Sequence, residues 1–310
     1  MRKRIVVPLV ACVTLAVPVG ASAHARSPAV ALDYRLVLDS RTRHLPGVSA
    51  AILDGDRDLR IRTDGVTVTV KGDLGEPMLR IGPSGVWVNR GSVTASAERL
   101  TKAAAGWARL GSGSTFIWHE HRLAPPPYEG SHLGAVARFE IPVTIDGRPA
   151  AIAGTFVRFR RPPVWPWLGG AVALVAAVLV VSRVRPGLRQ PIATGLGAAA
   201  GLAALAGLAA FDAADAPNGR VAWVQIVLAS VLGVVVYGAL VRLHGVRRAH
   251  LGGVLGVAAG AITLGSLAVF THGVVISLLP ATVSRALCAL ALAGGVGAAV
   301  TSYTVEERRR

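Results

Sequence analysis

Cysteine is almost missing from this 310-residue chain, and the two present, Cys12 and Cys288, both sit in apolar stretches. Neither a disulfide framework nor a multi-cysteine metal centre can be built from them. Lysine is nearly as scarce, since Lys3, Lys71 and Lys102 are the only lysines among 33 basic residues. Aromatic residues make up 5% of the chain and charged residues 16%. The formal net charge of +16 invites a nucleic-acid reading, but no basic run is interleaved with the aromatic side chains that stack on bases. Nucleic acid is therefore not an expected partner. What the chain has in plenty is apolar: 52% of residues are hydrophobic and the mean hydropathy is +0.53, which excludes a disordered or wholly soluble protein.

The apolar residues are unevenly placed. Residues 1–23 carry Arg2, Lys3 and Arg4, an apolar run from Ile5 to Val19, and Ala21-Ser22-Ala23, the layout of a secretory signal peptide. Cleavage after Ala23 leaves His24 as the mature N-terminus, whereas cleavage after Ala25 discards it. Leu9-Val10-Ala11-Cys12 resembles a lipoprotein box, but the apolar run before it is too short and a second run follows. From 24 to 163 the chain turns polar, with alternation such as Val66-Thr67-Val68-Thr69-Val70 and Val86-Trp87-Val88. Further strand-like runs lie at 35–39, 57–62, 115–121, 135–145 and 150–160. Asp54-Gly55, Asp64-Gly65 and Asp146-Gly147 supply turns, and Ala95 to Ala105 is the one helical candidate. Seven or eight short strands predict an all-β, immunoglobulin-like sandwich that holds its core without cysteine.

Beyond Val164 five apolar segments are long enough to cross a bilayer: 164–182, 191–211, 221–241, 251–271 and about 278–302. Arg183, Arg185 and Arg189 fill the first connection, Arg242, Arg247 and Arg248 the third, and Arg308-Arg309-Arg310 the tail over 304–310. The second connection carries Asp212 and Asp215, and the fourth, around His272-Gly273, is nearly neutral. The excess of arginine on alternate connections places them in the cytoplasm, with the 24–163 domain exported. An all-α bundle of five transmembrane helices over 164–303, in a plasma membrane, is the expectation. Much of the positive charge is then a determinant of topology.

Three segments of the exported domain carry unusual residues: Gly72-Asp73-Leu74-Gly75-Glu76-Pro77-Met78-Leu79-Arg80, Gly85-Val86-Trp87-Val88-Asn89-Arg90 and Trp118-His119-Glu120-His121-Arg122. In this order they resemble a group of actinobacterial exported multi-pass membrane proteins of unknown function, with G-E-P-x-L-R, G-V-x-x-N and W-H-[DE]-H-R segments. The likeness extends to Asp33-Tyr34-Arg35 and to Ile141-Pro142-Val143 through Gly154. It implies an architecture and a location rather than an activity. The chain departs from the group after Arg122, where Leu123-Ala124-Pro125-Pro126-Pro127 replaces a stretch that often holds another histidine and a tryptophan.

His119 and His121 form the most chemical pair, because residues i and i+2 of a strand share a face and can present two imidazoles to one metal, with Glu120 pointing away. Copper or zinc suits such donors, and His132, His44 or a terminal His24 is the candidate further ligand. The other reading is that the histidines brace the fold through Arg122 and Glu120. Gly75-Glu76-Pro77 reads as a turn in which Glu76 accepts hydrogen bonds. A glycosidase needs two convergent carboxylates, and spacing alone does not show that Glu76 and Glu120 converge. No nucleophile elbow, phosphate loop, His-Glu-x-x-His or Cys-x-x-Cys pattern occurs, so no catalytic residue is assigned.

In the membrane region Gly197-x-x-x-Gly201 and Gly256-x-x-x-Gly260 permit close helix approach. Arg285 is the one strongly cationic residue within a span, expected to snorkel outward or to mark an anion or partner site. The expected function is a membrane-anchored extracytoplasmic ligand-binding protein of the cell envelope, with copper or zinc at His119 and His121 as the candidate ligand. Two alternatives stay open. One is a structural or assembly protein whose exported domain binds a membrane or envelope protein, with Trp118, Glu120 and Arg122 in the fold. The other is an envelope hydrolase using Glu76 or Glu120.

Overall fold

The computed structural model describes residues 31–53, 55, 57–124, 132–215 and 223–307. The segment expected as a signal peptide, with His24, lies outside them, as do 125–131 and the last three arginines. Two compact units are present, one built mainly on Leu32–Arg161 and the other on Pro162–Ala214 and Gly219–Arg310.

The first unit is mostly antiparallel sheet. Its strands are β1 (Tyr34–Leu38), β2 (Val48–Leu53), β3 (Asp58–Thr63), β4 (Val68–Lys71), β5 (Pro77–Gly82), β6 (Gly85–Asn89), β7 (Trp107–Gly111), β8 (Thr115–His119), β9 (Gly134–Ile145) and β10 (Arg148–Arg158), with short helices α1 (Ser40–Arg43) and α2 (Val93–Ala97). Seven strands pair in the order β1-β10-β9-β4-β5-β6-β7, and β2-β3-β8 form a second sheet. Alternation decides which side chains go inward. Leu59 and Ile61 on β3 are fully buried and alternate with the outward Arg60 and Arg62, and Val68 and Val70 on β4 flank Thr69. One buried cluster draws on both sheets, combining Leu59, Ile61 and Trp118 with Val70, Leu79, Ile81, Val88, Ile141 and Ile152.

The expected turn at Asp146-Gly147 closes the β9–β10 hairpin. Asp146 (φ 48°) and Gly147 (φ 81°) both take the left-handed conformation that a two-residue type I′ turn demands. Asp146 also accepts a bond from the Thr67 amide at 2.8 Å, tying the turn to the start of β4. The strands β2, β5 and β7 extend beyond the sequence expectation. β5 begins at Pro77, inside the segment read only as a turn; proline is tolerated there because the first residue of a strand need not donate to the ladder. The helix expected over Ala95 to Ala105 is only Val93–Ala97. Its N-cap Ser92 accepts from the Ala95 amide, and Arg99 turns left-handed (φ 58°) to end it. Sheets of seven and three strands also differ from the four and three of a constant-type immunoglobulin domain.

The second unit holds α3 (Trp165–Val184), α4 (Arg189–Asp215), α5 (Trp223–Arg242), α6 (Gly245–Thr263) and α7 (Ala281–Glu307), with α6 running on as a 3-10 turn over Leu264–Phe270. Among the described residues four stretches are long and apolar enough to cross a membrane: Trp165–Val184, Pro186–Ala214, Gly245–Phe270 and Ala281–Val305. They make this a membrane protein in contact with lipid. In α5 the described apolar part is the shorter Gly233–Arg242. Glycines let these helices touch, and of the expected positions Gly197 and Gly256 both lie at close approaches, a Cβ on Gly197 colliding with the Gly252 backbone. A Cβ on Gly252 would lie 2.5 Å from the Ala193 carbonyl of α4, and one on Gly256 would lie 2.8 Å from the Gly295 carbonyl of α7. Gly260, by contrast, faces open space. Gly252 and Gly256, one turn apart on the same side of α6, thus set its close approach to α4 and to α7.

Candidate functional site

The three unusual segments of the β-unit meet at one place. Between β4 and β5 the chain turns through Gly72 to Glu76, with the Gly72 amide donating to the Glu76 carbonyl at 2.7 Å and Gly75 left-handed at φ 77°. The Glu76 carboxylate folds back over this loop. It accepts from Ser92 Oγ at 2.7 Å, the Thr94 amide at 3.3 Å and the Leu74 amide at 3.1 Å. A Cβ on Gly72 would lie 2.5 Å from Thr94 Oγ1 and collide with the Glu76 carboxylate, so glycine is required there. Asn89, from the second segment, donates to the Pro77 carbonyl at 2.7 Å and accepts from the Gly91 amide. Burial would raise the Glu76 pKa, but the bonds from Ser92 and Thr94 outweigh it and hold the carboxyl at about 2.

The third segment docks against this loop. β8 ends at His119, and His121–Leu123 forms a 3-10 turn that changes the direction of successive side chains. Glu120 caps that turn and is 1% exposed. It accepts from Trp118 Nε1 at 3.0 Å and takes a two-pronged ion pair from Arg122, whose Nε and Nη2 lie 2.6 and 2.8 Å away. Arg122 also donates to the Lys71 carbonyl at 2.9 Å, which pins the turn to the end of β4. The His121 amide donates to Glu98 Oε1 at 2.9 Å. The two ring nitrogens of His121 are each met by a carboxylate: Nδ1 by Glu98, and Nε2 by Asp73 at 3.0 Å.

Electrostatics follow from this packing. Asp73, Glu98 and Glu120 bring three carboxylates to two cationic partners, Arg122 and His121. Burial disfavours the imidazolium, but the bond to Glu98 and the charges of Asp73, Glu98 and Glu120 prevail and raise the His121 pKa. Arg122 is likewise held protonated above its ordinary value against the cost of burial, chiefly by Glu120.

His119 and His121 do not act as a pair. His119 is exposed and lies 3.6 Å from Asp58, while His121 turns to Glu98 and Asp73. Glu120, expected to point away from His121, has Oε1 3.7 Å from its Nδ1, because the strand geometry stops one residue before Glu120. Among the described residues, the side chains able to gather three metal-ligand atoms within 4.8 Å are Glu98, Glu120 and His121. His44 engages the Ser40 carbonyl at 2.6 Å, and His132 is exposed outside that group. Glu76 and Glu120 belong to neighbouring parts of the same assembly, each committed to its own donors. Arg285, expected to reach outward, is 7% exposed; its Nε and Nη2 donate to the Val269 and His272 carbonyls, which the end of the 3-10 turn leaves without helical donors.

Sequence reasoning missed Glu98 and the role of Asp73. Asp73 lay within the quoted Gly72–Arg80 segment, but Glu98 follows a short helix with no local signal of its long-range partner. Comparison of the chain with protein-family models, with curated proteins and with solved structures found no match.

Proposed function

We propose that this chain is a membrane-anchored protein of the cell envelope that works by binding rather than by catalysis. In this reading the β-unit is an exported sandwich, the five helices all span the plasma membrane, and the C-terminus is cytoplasmic. The observation that carries it is the commitment of both candidate catalytic carboxylates. A hydrolase needs one carboxyl that keeps a proton near neutral pH and a second free to attack or to activate water. Glu76 is held at about 2 by the donors that fold its loop, and Glu120 is sealed beneath Arg122 and Trp118. Both serve to lock three segments together, so the ligand or partner meets the rigid surface that they support.

A second reading, favoured by the convergence of Glu98, Glu120 and His121, is a divalent cation at that triad. One imidazole with two carboxylates suits zinc or manganese better than copper. It requires Arg122 to release the Glu120 oxygen that it holds at 2.6 Å. The location is tested by placing a thiol at the exposed position 132 (His132→Cys) and treating intact cells with a membrane-impermeant maleimide. Labelling in intact cells is expected, and labelling only after lysis would overturn the exported placement.

A further inference from the structure

On its outer face the seven-stranded sheet carries a row of side chains unrelated to the His121 cluster. Cross-strand register aligns Thr144, Thr69, Arg80, Trp87 and Arg109 on β9, β4, β5, β6 and β7. Trp107, opposite Asn89, lies beside this row on the same face. Their strand neighbours Val70, Leu79, Ile81 and Val88 point into the core, so the row must point out. The cations and rings are interleaved. The Arg80 guanidinium lies 4.5 Å over the Trp107 ring, and that of Arg109 lies 5.8 Å from the centre of Trp87.

Charge on the β4–β7 part of this face has one sign, whereas on β9 the exposed Glu140 shares the outward side of its strand with Thr144. β4, β5, β6 and β7 contain Lys71, Arg80 and Arg109 and no aspartate or glutamate. The acidic residues of the loop between β4 and β5 are taken, Asp73 by His121 and Glu76 by Ser92. Arg109 is steadied by the Gly111 and Ser84 carbonyls, while Arg80 rests on Trp107. The ring beneath Arg80 and the carbonyls beside Arg109 hold the two guanidiniums and leave further N–H groups for a carboxylate or phosphate.

We infer that this face binds an acidic polysaccharide, its carboxylates or phosphates on Arg80 and Arg109 and its sugar rings against Trp87 and Trp107. The row crosses five strands, a track about 19 Å long rather than a pocket, which suits a polymer. The backbones of Arg80 and Arg109 stand two strand intervals apart, about 9.5 Å, and each side chain leans toward a ring on a strand nearer the other, Arg80 over Trp107 and Arg109 beside Trp87. Thr69 and Thr144 supply hydroxyls along the track. An extended acidic peptide would seek main-chain pairing at a sheet edge, which a face of side chains does not offer. A bilayer would demand a larger apolar surface than two half-buried rings. The inference rests on the binding reading above and gives it a ligand class.

The test is binding of full-length protein in detergent to polygalacturonate, with neutral dextran, polyglutamate and anionic phosphatidylglycerol vesicles as the other probes. Wild type is expected to bind polygalacturonate and not dextran, with affinity falling as salt rises. Arg80→Gln and Trp107→Ala are each expected to weaken it at least about tenfold, with Trp107→Phe restoring most of the loss. Unchanged thermal unfolding of Arg80→Gln, a surface change, guards against a folding artefact. No binding to polygalacturonate, or binding indifferent to both variants, overturns the inference. Equal, variant-sensitive binding to polyglutamate or vesicles also overturns it, while leaving the broader binding reading standing.

Discussion

Replacing Glu120 by glutamine tests the cluster at its most buried charge. The substitution preserves shape but removes the negative charge that Arg122 meets at 2.6 and 2.8 Å, and it sets an amide N–H against a field of donors from Trp118 and Arg122. Glu120 is 1% exposed, so water cannot replace what is lost. Breaking a buried pair by removing one partner costs about 3–5 kcal/mol, because the other charge is left uncompensated. For a unit of this size that lowers the unfolding midpoint by roughly 10–20 °C. The control is Glu120→Leu with Arg122→Met, which removes both charges together. It is expected to lose much less than the sum of the single changes, with a coupling of about 1.5 kcal/mol or more. Hydrogen exchange of the 115–124 peptide, measured on the full chain in detergent, reads the local opening directly. A Glu120→Gln variant within about 1 kcal/mol of wild type, or strict additivity in the cycle, would refute the assignment of Glu120 as the charged centre of the cluster.

The remaining predictions follow the same interactions. Because the folded-state pKa of His121 is raised, its contribution is complete below the unfolded value of about 6.5 and fades as pH rises through the folded value. Exchange protection of the 119–124 segment should therefore fall from neutral toward alkaline pH, and His121→Asn should flatten that dependence. Glu76 is the opposite case, depressed to about 2, so its stabilisation holds above about 4.5 and drains away as pH falls toward 2. Glu76→Gln should cost about 1.5–3 kcal/mol and remove that acid-side loss in a denaturation series. In the helical unit, Gly252→Val should force α6 away from the Ala193 carbonyl and the Thr194 backbone, read as lower thermal stability in detergent. Gly260→Val, facing open space, should be nearly neutral.

Regular patterns were legible in the sequence and long-range partnerships were not. Alternation at 66–70 announced β4, and Asp146-Gly147 announced the hairpin, because both signals are local and steric. The apolar segments announced the helices for the same reason. The Trp118–Arg122 segment was recognisable as chemically unusual, but the strand expected over 115–121 ends two residues early, at His119, which undoes the shared-face argument for His119 and His121. Glu98 could not be found at all. It lies 23 residues from His121, and only the packing of α2 against the Gly72–Glu76 loop brings it there. The acid-free face of β4 to β7 was present in the sequence, yet only cross-strand register shows that Arg80, Trp87 and Arg109 stand in one row.

The measurement that tests the central claim most directly is a zinc and copper titration of the full chain by calorimetry, beside Glu98→Gln and His121→Ala. If the His121 cluster is a closed ion-pair network supporting a binding surface, neither metal binds tightly in one-to-one proportion, and His121 retains its raised pKa in the metal-free protein. Tight one-to-one binding that disappears in both variants would contradict that account and make the cluster a metal centre.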